Sequence, residues 1–331
     1  MSVPLTLLTG FLGSGKTTLL NRLLAAPSMA DSAVLINEFG EAAVDHLLVD
    51  SIDDDIVVLE SGCVCCSVRD DLTGALLSLA ERQQDGVIPP LRRIILETTG
   101  IADPLPICRQ IMNDGELSAR YRTGPILTVI DGVYGPATLD RHLEAVRQAV
   151  IADHLIVSKV DMIDTRRRHD LQDRLYRLNP AATVSLCDPE RDIEEMLKAV
   201  SDRAGSEAML TRLQRCAARD PHAHAGGDTH DHRFDTFLLA WDEAVDWPEF
   251  NAWLEGLLTA RGAQIYRLKG LVNISGEPVL VQGVQQSFYP PKRLAAWPGE
   301  RRTQLVLITR DLPRQALMNS VADVLNICCR E

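Results

Sequence analysis

No apolar run in this chain approaches the roughly 18 residues that a membrane-spanning helix needs. The first ten residues, MSVPLTLLTG, lack the basic start and the small-residue cleavage site of a secretory leader, and they read as a strand. Positive charge is in deficit: 34 lysines and arginines stand against 46 aspartates and glutamates, for a formal net charge of −12. Phosphate backbones need a basic footprint, so a broad nucleic-acid surface is excluded, although a few backbone amides can still hold a small phosphate ligand. Internal repeats are also missing. These absences predict no nucleic-acid partner, no membrane partner and a cytoplasmic location, where the eight cysteines stay reduced.

What is present begins with a core. Hydrophobic residues make up 46% of the 331 positions, enough to fill one large domain or two ordinary ones. Short apolar runs (PLTLLT, AVLIN, IVVLE, RRIILE, PILTVID, HLIVSK) alternate with amphipathic segments that begin near Lys16, Asp70, Pro104, Pro136 and Arg166. Alternating strands and helices predict an α/β fold: a mostly parallel sheet with helices on both faces. The pattern stops near Ser201, and residues 202–232 read as a linker broken by Gly, Pro and Asp. From residue 233 to 331, four strands and two helices predict a smaller α+β domain, with its helices on one face of an antiparallel sheet. The expected division is 1–201, 202–232 and 233–331.

GFLGSGKT, Gly10 to Thr17, matches G-x-x-x-x-G-K-[ST] and sits between the first strand and the first helix, as a phosphate-binding loop must. Gly10, Gly13, Ser14 and Gly15 form the turn whose N–H groups face phosphates, and the helix start at Lys16, Thr17 and Thr18 adds partial positive charge. Lys16 can reach the β/γ-phosphates and the Thr17 hydroxyl can bind Mg²⁺. IILETTG ends a buried strand in Glu97, an acid placed to hold Mg²⁺ or to position the attacking water, and Gly100 can approach the γ-phosphate through its N–H. Asp131, in VID, is a second strand-end acid with no neighbour in the sequence to assign it a role. SKVD follows a later strand. There Asp161 can accept both donors on the edge of guanine, which adenine lacks, and Lys159 can lie along the base. This favours GTP over ATP. Ser158 stands where an asparagine would add an amide contact.

GCVCC crowds Cys63, Cys65 and Cys66 together. A buried core, a redox pair, a disulfide and a metal site all use such residues. Redox chemistry more often uses C-x-x-C, and a reducing compartment disfavours the disulfide, so metal binding is preferred. Cys63 and Cys65 share one side of an extended segment, and a turn into a helix capped at Ser67 would bring Cys66 to join them. Three thiolates suit Zn²⁺, with water, Glu38, Glu41 or a client residue as the fourth ligand. Because the cysteines follow a strand, they are expected at the edge where the phosphate loop lies. His222, His224, His230 and His232 cluster in the linker as an accessory arm able to capture Zn²⁺, Ni²⁺ or Co²⁺.

LTGFLGSGKTTLLN, NEFGE, GCVCC, ETTGIADP, SKVD, a His-rich linker and YRLKGLV together resemble the CobW-type branch of the P-loop GTPases over almost the whole chain. The resemblance implies slow GTP hydrolysis coupled to delivery of zinc, cobalt or another transition metal to a client protein. It also implies a nucleotide-sensing role for NEFGE. An ATP-dependent kinase with structural zinc, and a non-catalytic zinc buffer or sensor, are the alternatives.

Overall fold

A computed structural model describes residues 2–37, 50–53, 56–58, 64–67, 72–187, 234–325 and 327. The first unit is built on a nine-stranded sheet, β3-β4-β5-β2-β6-β1-β7-β8-β9. Its strands are β1 (Val3–Thr9), β2 (Ser32–Asn37), β3 (Asp50–Asp53), β4 (Ile56–Val58), β5 (Val64–Ser67), β6 (Arg93–Thr98), β7 (Tyr121–Asp131), β8 (His154–Ser158) and β9 (Thr183–Leu186). Every pairing from β5 across to β9 is parallel, while β3–β4 and β4–β5 are antiparallel. The helices are α1 (Lys16–Leu24), α2 (Leu72–Gln84), α3 (Leu105–Asn113), α4 (Gly115–Arg120), α5 (Gly135–Arg141), α6 (Leu143–Ile151) and α7 (Thr165–Leu178).

The continuously apolar strands arise because both faces of the sheet are covered. Successive side chains alternate between faces. Leu5, Leu7, Ala33, Leu35, Ile94 and Leu96 join the core that takes up α2, α3, α6 and α7. Leu8, Val34, Ile36, Ile95 and Val129 pack instead against Leu19, Leu20, Leu23 and Leu24 of α1. Within the run IVVLE, β4 lies antiparallel to β5. Asn179 closes the end of α6: its buried amide donates to the carbonyls of Ala149, Val150 and Ala152 at 2.9–3.0 Å, groups that the helix itself leaves unpaired.

The second unit has the sheet order β10-β15-β11-β12-β13, with β14 also on β12. Its strands are β10 (Asp235–Trp241), β11 (Ile265–Ile274), β12 (Glu277–Val284), β13 (Ser287–Phe288), β14 (Lys292–Arg293) and β15 (Thr303–Thr309), all paired antiparallel. Helices α8 (Trp247–Arg261) and α9 (Arg314–Leu325) cover one face through Phe250, Trp253, Leu257, Leu317 and Val321. The other face is buried too, because Tyr266, Leu271, Leu280, Val306 and Ile308 belong to the core of the first unit. Within that seam Asp153, just beyond α6, pairs with Arg267, and at 3.1 Å with Lys269, both on β11. All three side chains are at most 1% exposed. Arg109 of α3 also meets Gln285.

Candidate nucleotide site

The phosphate loop is shaped by its glycines. Gly10 has φ +143°, and a Cβ there would lie 2.3 Å from the Val129 carbonyl oxygen, so the turn passes against β7 only without a side chain. Gly15 sits at φ 93° as the residue that opens α1. Lys16 follows as its first residue, 8% exposed, with Nζ donating to the Phe11 carbonyl at 3.4 Å. The Thr17 hydroxyl donates to Glu97 Oε1 at 2.7 Å. Glu97 is 5% exposed near the end of β6, in register with Leu8 of β1 and Ile36 of β2. One residue on, the Thr98 hydroxyl donates to Thr9 Oγ1 at 2.9 Å and ties the β6 and β1 ends together. A Cβ on Gly100 would stand 2.6 Å from the Leu12 amide nitrogen, so only glycine lets the ETTG segment touch the phosphate loop. Gly13, Gly15, Lys16, Thr17, Thr18, Glu97 and Gly100 thus line one cavity of about 340 Å³.

SKVD lies beside this cavity. The Ser158 hydroxyl donates to the Ser14 carbonyl at 2.6 Å, a side-chain tether from the end of β8 to the phosphate loop. Lys159 takes the left-handed conformation at φ 53°, and its ammonium donates to the Gly13 carbonyl at 2.8 Å and to Asp131 Oδ2 at 2.5 Å. The other Asp131 oxygen accepts from the amides of Val133 and Tyr134 at 2.8 and 2.9 Å. Asp161 follows, exposed, on the single turn Val160–Met162, whose first residue Val160 is buried.

Sequence reasoning left Asp131 without a role and missed Gln148 altogether. Asp131 aims Lys159. Gln148, 1% exposed on α6, donates to the carbonyls of Gly100 and Ala102 at 3.2 and 3.0 Å and so holds the segment after Glu97. A glutamine three residues from both Ala145 and Ile151, on one face of a helical segment, was the available signal, since a buried amide needs partners.

The thiols sit differently from the sequence expectation. Cys65 and Cys66 lie inside strand β5, in register with Val34 and Leu35 of β2, rather than in a turn beyond a strand. Ser67 is the last residue of that extended strand rather than the cap of a helix. The reason is that β2 and β4 offer hydrogen-bonding edges on both sides of residues 64–67, which keeps the backbone extended. Cys63, Glu38, Glu41, His222, His224, His230 and His232 lie outside the described residues. Among the described residues no three His, Cys, Asp or Glu side chains gather into a metal site. None of the described helices is long and apolar enough to cross a membrane.

Comparison with known proteins agrees with this geometry. Residues 4–185 match the family model described as CobW/HypB/UreG, nucleotide-binding domain, and residues 234–325 match the cobalamin synthesis protein cobW C-terminal domain. The chain is 30% identical to the zinc chaperone YjiA of Escherichia coli, over 97% of this chain and 98% of that one. It is 30% identical to the zinc chaperone CobW of Pseudomonas aeruginosa, over 98% of this chain and 92% of that one. The crystal structure of Zn(II)-bound YjiA GTPase from E. coli superposes with a TM-score of 0.73 at 28% identity, covering 98% of this chain and 99% of the other. With a glycine-shaped phosphate loop joined to SKVD, and both family models matched in order, this chain belongs to the CobW/HypB/UreG family of nucleotide-binding proteins.

Proposed function

We propose that this protein is a GTP-hydrolysing metallochaperone that carries zinc, with cobalt as the alternative cargo, to a client protein. The observation that carries the nucleotide half is the double tether of SKVD to the phosphate loop, Ser158 to Ser14 and Lys159 to Gly13. It presents Asp161 beside the cavity whose glycines and Lys16 suit phosphates. The names of the relatives, zinc chaperones and a Zn(II)-bound GTPase, support the cargo half.

In this reading the loop amides and Lys16 hold the β/γ-phosphates, and Asp161 selects guanine through the donors on its edge. Mg²⁺ fits the floor of the cavity, where the Thr17 hydroxyl and a buried Glu97 oxygen, 2.7 Å apart, are the hard donors that ion prefers. Bound there, it would neutralise phosphate charge. Gly100 serves the γ-phosphate through its N–H, a role supported by its place against the phosphate loop, and Gln148 holds its carbonyl. Glu97 assists the metal or the attacking water, and turnover is slow because it rests on positioning and charge. Cys63, Cys65 and Cys66 are the cargo ligands, completed by water, Glu38, Glu41 or a client group, and the four clustered histidines serve as a capture arm. The chain divides functionally into the GTPase unit 1–201, the His-rich segment 202–232 and the C-terminal unit 233–331.

The test is zinc affinity, measured by chelator competition with and without a non-hydrolysable Mg·GTP analogue. Nucleotide-dependent delivery requires the two affinities to differ, and linkage requires zinc to change nucleotide affinity by the same factor. Equal zinc affinities, or a preference for ATP, overturn the reading.

A further inference from the structure

Lys159 is held at both ends. Its backbone takes the left-handed conformation, φ 53° and ψ 35°, which a residue with a side chain adopts only at a cost. Its ammonium lies between two oxygens, the Gly13 carbonyl at 2.8 Å and Asp131 Oδ2 at 2.5 Å. Between these fixed points the side chain lines the phosphate cavity. The carboxylate is itself fixed. Asp131 is 8% exposed at the end of β7, in register with Ser158 of β8. Its other oxygen accepts from the Val133 and Tyr134 amides, so it resists moving with the ammonium. One residue on, the Gly132 amide donates to the Ser158 carbonyl at 2.9 Å, and a Cβ on Gly132 would lie 2.6 Å from that oxygen. The ends of β7 and β8 therefore meet without slack, as only glycine allows. The turn alone does not call for a charge here. An asparagine carbonyl could accept from the same two amides. It could not offer Lys159 a second acceptor or a negative charge, so the lysine accounts for the acid.

We propose that Asp131 is a positioning residue for nucleoside recognition and acts through Lys159, holding the lysine stem in the conformation that receives the base. This rests on reading the phosphate cavity as a nucleotide site. The gain is preorganisation. A lysine carries much rotamer freedom, and freezing it during folding removes that cost from binding. Without Asp131 the ammonium keeps the Gly13 carbonyl, and the left-handed backbone loses a contact that holds it. The phosphate end is indifferent to this loss, because the Ser158 hydroxyl ties the Ser14 carbonyl independently.

A double-mutant cycle on the full chain tests it, with calorimetric binding of Mg·GDP and of inorganic tripolyphosphate, which has no base. Asp131→Asn should bind GDP about tenfold more weakly, and tripolyphosphate within about twofold of the unaltered chain. Lys159→Met should lose at least as much for GDP. Adding Asp131→Asn to it should then cost little more, because nothing is left to position. Additive losses overturn the proposal, since a residue that only caps its turn would act independently of Lys159. Equal losses for GDP and tripolyphosphate overturn it too, and so does unchanged GDP binding in Asp131→Asn. Should Asp131→Asn not fold, Asp131→Ser, whose hydroxyl oxygen can accept from the same amides, takes its place in the cycle. The unaltered chain tests the nucleotide reading separately. A preference for ADP over GDP overturns guanine selection, and the cycle run with ADP still decides the role of Asp131.

Discussion

At position 158 the end of β8 comes close enough for a serine hydroxyl to reach the Ser14 carbonyl directly, at 2.6 Å. The side chain is short, but it has little freedom to lose when it is fixed. Ser158→Ala should therefore weaken GTP binding by roughly fivefold to tenfold, about 1 kcal/mol for one lost hydrogen bond, with little change in melting temperature; titration with a fluorescent GTP analogue measures it. Unchanged affinity would show that Lys159 alone holds the phosphate loop in place. At this scale the sequence was legible wherever a residue's chemistry is local. The glycines, Lys16, Thr17 and Glu97 could be assigned from spacing, because a phosphate loop is one contiguous turn. Asp131 could not, because its partner Lys159 lies 28 positions away and meets it only across neighbouring strands.

Element by element, legibility followed burial. Strands covered on both faces are apolar throughout, and β1, β2, β6 and β8 stood out in the sequence for that reason. Helix α8 did too, since its run from Trp247 to Arg261 places Phe250, Trp253, Leu254 and Leu257 on one face. The edge was unreadable: β3 is DSID and β5 is VCCS, each four residues long, and both owe their extended form to a neighbouring strand rather than to propensity. Strand β7 runs four residues earlier than its apolar segment, starting at Tyr121, whose hydroxyl donates to the Leu76 carbonyl at 2.7 Å. Burial pushes the Tyr121 phenol up to about 12, against a smaller opposing effect from the Arg120 guanidinium. Its ordinary value, and that of the unfolded chain, is near 10. The stability it contributes is thus complete below about pH 10 and is lost as pH rises through about 12. Alkaline absorbance titration should show the Tyr121 phenol ionising late. Tyr121→Phe should remove that late step and destabilise the protein by about 1–2 kcal/mol, since the Leu76 carbonyl loses a buried donor. A titration identical in the two proteins would contradict the assignment.

For the molecule as a whole, the seam between the two sheets is the feature that sequence reading did not foresee. In YRLKGLV, charged and apolar residues alternate, the pattern of a strand with one wet face. All ten residues of β11 are buried nonetheless, and the charged face is the one pressed against the first unit. A pattern within one strand cannot tell a solvent face from a face sealed by another domain carrying the matching charge. Here that charge is Asp153, further held by the Ile126 amide at 3.1 Å. Removing one member of a buried ionic cluster leaves the others uncompensated. Asp153→Ala should cost about 3–5 kcal/mol, read as a large fall in the denaturant midpoint, whereas a surface carboxylate such as Glu300 should cost almost nothing when removed. An equal, small effect at both positions would mean that the two units hold together without the ions. The same seam has a mechanical side. Helix α6 has nine residues and neither glycine nor proline, so it behaves as a stiff rod ~13 Å long. Partway along, Gln148 grips the Gly100 and Ala102 carbonyls beside the phosphate loop. Its far end, sealed by Asn179, leads directly into Asp153 and the second sheet. A displacement of the ETTG segment must therefore either break the glutamine's grip or swing the rod, and a swinging rod carries the whole C-terminal sheet with it as the long arm of a lever.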